Sequence, residues 1–122
     1  MDSKKNDYKI NDLINKSEDE LYELIGKELD DSFISEGAEQ LILRGKVWLK
    51  KNEKNLAKII CTKSIYLFTK NENMEIPILA LYLKEIIEAS TDIKIAVPTS
   101  IVSLIVVKQG LNKLCKTTWS DL

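Results

Sequence analysis

Pro98-Thr99-Ser100-Ile101-Val102-Ser103-Leu104-Ile105-Val106-Val107-Lys108 is the stretch on which the fold turns. The apolar run that contains it, Ile95 to Val107, is 13 residues long, is interrupted by Pro98, Thr99, Ser100 and Ser103, and is closed by Lys94 and Lys108. A helix that crosses a bilayer needs about 20 apolar residues, so a run this short reads as a helix buried in a protein core, with no membrane span. Pro98 suits its opening turn, where a missing N–H costs nothing. Leu111, Leu114 and Cys115 continue the pattern, so this last helix is expected to reach about residue 115.

Immediately upstream, Pro77 opens a second apolar segment, in which Ile78, Leu79, Leu81, Tyr82, Leu83, Ile86, Ile87 and Ala89 leave almost no polar side until Lys84. A helix apolar on most sides is expected to be buried on most sides. Thr91-Asp92 ends it, and the two segments form a C-terminal hydrophobic helical hairpin. Farther back, Ser64 to Thr69 is rich in strand-favouring residues, but no second alternating run lies nearby to pair with it. A lone strand leaves its backbone unpaired, so a short helix or helical extension is expected there.

Residues 36–61 are amphipathic. At about 100° per residue, Ala38, Leu41, Ile42, Gly45, Trp48, Leu49, Leu56, Ile59 and Ile60 share one side, and Arg44, Lys46, Lys50, Lys51, Lys54 and Lys58 the other. Asn52 falls inside the apolar arc. That favours two helices, with Asn52 or Asn55 capping the second. Ser17-Glu18-Asp19-Glu20 fits a capping box, with acids in the first turn to suit the helix dipole. Leu21, Leu24, Ile25 and Leu29 then predict a helix over 18–29.

The expectation is an all-α, compact bundle of about five helices. Residues 17–117 form a single domain, 1–16 a flexible or loosely docked arm anchored by Tyr8, Ile10, Leu13 and Ile14, and 118–122 a frayed tail from which Trp119 can fold back. With 122 residues, 44% of them hydrophobic, the chain can bury one core without a disulfide or metal staple. Only four glycines and two prolines favour helices over a turn-rich β fold. Met1 to Asp7 carries charges of both signs and no apolar run follows, so the reading is a cytoplasmic protein in which Cys61 and Cys115 stay reduced and buried.

There is no histidine. That removes imidazole-activated serine and cysteine nucleophiles, and two cysteines alone cannot complete a zinc tetrahedron. Gly26, Gly37, Gly45 and Gly110 stand alone, without the pattern of a phosphate-binding loop. Glu85 and Glu88 lie one helical turn apart, but dinuclear carboxylate bundles pair such residues with histidine, so solvated carboxylates are the plainer reading. No catalytic residue, cofactor or metal site is expected.

Charge is segregated. Residues 17–40 hold nine acids against Lys27, a local charge of −8, whereas residues 41–70 hold eight bases against Glu53, a local +7. An acidic partner-binding face is expected from Glu18, Asp19, Glu20, Glu23, Asp30, Asp31, Glu36 and Glu39, and a basic one from Arg44, Lys46, Lys50, Lys51, Lys54 and Lys58. In the plainer reading the acidic helix lies antiparallel to the basic one and neutralises it. Leu43 and Val47 fall among the lysines and, if exposed, offer an apolar contact to a partner or to a second copy of the chain. The sequence therefore points to a non-enzymatic protein-binding bundle, an inhibitor, immunity or adaptor component. A nucleic-acid-binding regulator using the 44–58 face is the alternative, weakened by a single arginine and by a Trp48 that faces the core.

Overall fold

A computed structural model of the chain describes residues 8–29, 37–71, 75–90 and 97–120. Among these residues the protein is all-α, with seven helices and no strand: α1 (Ile10–Leu13), α2 (Glu18–Leu29), α3 (Ala38–Ile60), α4 (Lys63–Asn71), α5 (Ile76–Ala89), α6 (Thr99–Gln109) and α7 (Leu111–Trp119). No described helix is long and apolar enough to cross a membrane.

Helix α6 is the axis of the core. Every residue from Ser100 to Val106 is buried, and the helix touches α1, α2, α5 and α7. Encirclement explains why an apolar sequence with no polar face is stable there. Pro98 stands at its N-cap and accepts hydrogen bonds from the N–H groups of Ile101 (3.2 Å) and Val102 (3.4 Å). At the other end, Gly110 adopts φ +100, a conformation that L side chains rarely take, and its N–H is shared between the carbonyls of Val106 and Val107. The expected single helix over 98–115 is therefore two. With α1 and α4 also separate, the described residues hold seven helices where about five were expected.

Helix α3 corrects the expected break at Asn52: it runs unbroken for 23 residues. The half-buried Asn52 amide donates to the Trp48 carbonyl at 2.8 Å, one turn back, so its polar group is satisfied by the helix that was expected to stop there. The capping box forms as read. Ser17 N–H donates to Glu20 Oε1 at 2.8 Å, and Glu20 N–H to Ser17 Oγ at 3.1 Å. Residues 64–69 are helical, within α4, and Thr62 Oγ1 accepts the Ile65 N–H at 3.2 Å.

The arm expected over 1–16 is described only from Tyr8 onward. There, Ile10 and Leu13 of α1 enter the core, and Lys108 Nζ donates to the Lys16 carbonyl at 2.7 Å. Trp119, in the segment expected to fray, is buried at the end of α7 and meets Tyr66 edge-on, with ring centroids 5.2 Å apart. The two cysteines are not reduced thiols. Cys61, at the C-cap of α3, is bonded to Cys115 of α7 across 54 residues, and both are buried. Nothing local in either sequence neighbourhood announces the pairing, which depends on α7 returning to α3.

Candidate functional site

The candidate surface is built on α3, and glycine decides how α3 is held. Helix α2 lies antiparallel to its first half at unusually close range. A Cβ on Gly26 would fall 2.8 Å from the Leu41 carbonyl carbon, and one on Gly45 would fall 2.9 Å from that of Tyr22. Only hydrogen fits at either point. This approach sets Asp19 against Lys46 at 3.6 Å and places the Lys46 ammonium 5.7 Å from the centre of the Tyr22 ring. The Tyr22 hydroxyl accepts from Gln109 of α6, and burial raises its pKa.

Of the residues expected to form the acidic face, three of those described are engaged within the chain. Asp19 is matched to Lys46, and Glu23 to Lys27 at 3.9 Å. Glu20 is engaged in the capping box, where the Ser17 backbone hydrogen bond lowers its pKa. Glu18 is exposed at the start of α2 and Glu39 in the first turn of α3. Asp30, Asp31 and Glu36 lie outside the described residues. Internal neutralisation is thus real but partial. The Asp19–Lys46 side chains are 64% and 50% exposed, so water screens the pair and its worth is small.

The basic residues divide at the N-terminus of α2. Lys46 is beside it. Lys50, Lys51, Lys54 and Lys58 lie at or beyond its reach, all are exposed, and among the described residues no carboxylate stands within ion-pair distance of them. Arg44 is exposed one turn before Trp48, which packs half-buried against the core and is no stacking platform. On the same outer face, Leu43 is 62% and Val47 47% exposed. The face reads Leu43, Val47, Lys50, Lys54, Lys58 at three- and four-residue steps, an apolar end running into a cationic one.

Two features escape sequence reading. Helix α5, expected to be buried on most sides, leaves Ile76, Ile78, Leu81 and Tyr82 exposed, with Tyr82 against Phe68 of α4 at 4.9 Å between centroids. Helix α7 carries Lys113 to the C-terminal half of α3, where it lines a groove with Lys54 and Lys58. The only sequence sign of that second meeting is the cysteine pair.

Glu88, one of the two carboxylates considered for acid–base work, takes the Lys84 ammonium at 3.1 Å and the Thr99 hydroxyl at 2.6 Å. Among the described residues no group of three or more Cys, Asp or Glu is placed to hold a metal ion. Compared with known proteins, the chain matches no family model, and no curated protein or solved structure is significantly similar to it.

Proposed function

We propose that the chain is a non-enzymatic, protein-binding helical bundle, of the kind that serves as an inhibitor, immunity or adaptor component. The outer face of α3 is its docking surface. The observation that carries this reading is the exposure of Leu43 and Val47 at the head of an unpaired lysine row. An apolar contact rimmed by cations is complementary to a protein surface that presents an apolar patch among carboxylates. Charge of that kind speeds encounter and fixes register. The acidic face expected from sequence is the weaker candidate, because Asp19, Glu20 and Glu23 already have partners within the chain.

A nucleic acid is the less favoured occupant, since the face opens on two exposed apolar residues and its aromatic ring is turned inward. The Cys61–Cys115 bond weighs against the cytoplasm expected from sequence and towards an oxidising compartment.

The test is quantitative affinity capture from the native host, run in parallel on wild type, Leu43→Asp, Lys50→Glu and Lys27→Gln. A stoichiometric acidic partner held by wild type and Lys27→Gln, and lost from the other two, is the expected result. A complex indifferent to Leu43 and Lys50 refutes the surface. Saturable binding to duplex DNA with a steep salt slope that Lys50→Glu flattens would install the nucleic-acid reading instead.

A further inference from the structure

We infer that the groove between the C-terminal half of α3 and α7 binds a small phosphorylated molecule, the phosphates on its lysines and an apolar body on its floor. The groove holds about 550 Å³, within the range of small-ligand sites. One wall carries Lys54 and Lys58, a single helical turn apart on α3. The other carries Lys113, with the Thr117 hydroxyl one turn further along α7 and Thr118 beside it. Ala57 and Leu114, both half-buried, line it together with the buried Cys61 and supply its apolar floor.

Charge decides the ligand class. Three lysines and one carboxylate, Glu53, line this groove. The neighbouring cleft at the N-terminus of α2 has a similar cationic set, Lys46, Lys50 and Lys113, but balances it with Glu18, Asp19 and Glu53. The cleft beneath Trp119 holds only Lys70. The α3–α7 groove therefore has a cationic excess that its own side chains do not cancel. Among the described residues, Lys54, Lys58 and Lys113 have no acid at ion-pair distance. Lysines and threonines lining one groove from two helices suit an acceptor with several charged oxygens, which a phosphate has and a single carboxylate lacks. The half-buried aliphatic floor gives the rest of such a molecule a place that bare inorganic phosphate would not use.

The walls belong to helices far apart in sequence, and the Cys61–Cys115 bond ties them together at the base of the groove. The groove shares Lys54 and Lys58 with the cationic end of the docking face proposed above, but Lys113 belongs to the groove alone and Leu43 to the face alone, so Lys113→Gln and Leu43→Asp test the two readings separately.

The test is an amide-shift titration of the oxidised full chain at low ionic strength, with tripolyphosphate and with ATP as probes. Saturable shifts confined to residues 54–58 and 113–118 are expected, with ATP the tighter of the two. Lys58→Gln and Lys113→Gln, both at exposed positions, should each raise the half-saturation concentration about tenfold. Lys27→Gln, at the far end of α2, should leave it unchanged. Shifts spread over all exposed lysines, or a Lys113→Gln curve superimposed on wild type, overturn the site. Equal affinity for both probes refutes the part given to the floor.

Discussion

Replacing Gly45 by alanine sets two effects of opposite sign against each other. Alanine in a helix interior gains about 1 kcal/mol over glycine. Against that, the added Cβ would sit 2.9 Å from the Tyr22 carbonyl carbon, with the carbonyl oxygen nearer still, and both belong to backbone that cannot rotate aside. Restoring ordinary contact of about 3.4 Å at that oxygen means parting α2 from α3 by about 1 Å along the most extensive helix–helix interface of the described residues. Overpacking costs about 1–3 kcal/mol, and opposing backbone puts this case at the upper end. The clash wins by about 2 kcal/mol, which at about 4 °C per kcal/mol for a chain of this size lowers Tm by about 8 °C. Gly26→Ala should behave alike against Leu41. One separation of the helices relieves both clashes, so the double variant should lose less than the sum of the singles. Gly37→Ala, with nothing within 4 Å of its added carbon, is the control for the clash and, at the N-cap of α3, should cost less than about 1 kcal/mol. Calorimetry on the four variants checks this. A higher Tm for Gly45→Ala, or full additivity in the pair, would refute the close-approach argument.

Opening the Cys61–Cys115 bond releases a loop spanning 54 residues and should cost about 4 kcal/mol, a fall in Tm of about 16 °C on reduction; thiol titration of the native chain should find no free cysteine. Ser103 is fully buried in α6 with no hydrogen-bond partner for its hydroxyl, so Ser103→Ala should stabilise by about 1 kcal/mol, read as a rise in denaturation midpoint at unchanged slope. Ser17→Ala should cost about 1 kcal/mol through loss of the cap. The Ser17 N–H holds the Glu20 pKa below its ordinary value, so that contribution is present above the usual carboxylate range and disappears as pH falls through the lowered value. The Tm gap between wild type and Glu20→Gln should accordingly close on acidification, and a gap that widens towards low pH would contradict the assignment.

What could be read from sequence was what local physics determines. Ser17 and Glu20 need only each other and three residues of spacing, and they meet as expected. Ile101 to Val106 are apolar at every phase of the helix, and burial on every side is the outcome such a sequence requires. Leu43 and Val47 were placed outside the apolar arc by angle alone, and they are exposed. The misreadings share one cause, which is that they depend on a partner not adjacent in sequence or on a backbone angle that composition leaves free. Asn52 looked like a helix stop because a wheel records polarity and not whether a carbonyl one turn back can absorb it. Gly110 could have sat within a helix, and its positive φ is set by how α7 docks. Hydropathy told that α5 wants cover, but it could not tell that the described helices leave Ile78 and Leu81 exposed. The groove beside α7 was invisible for the same reason the disulfide was, since Lys113 and Lys58 are neighbours only after the chain has returned.

The centrality of α6 has a cost during synthesis and whenever the protein opens. Ile101 to Val107 is a seven-residue stretch, dominated by β-branched side chains, uncharged and free of proline and glycine, which is the composition that stacks into intermolecular cross-β sheets when left uncovered. Pro98 and Lys108 stand at its two ends as gatekeepers, and the surrounding helices keep it out of reach. Substitutions that loosen this enclosure should therefore announce themselves as precipitation on heating before they register as reversible loss of helix.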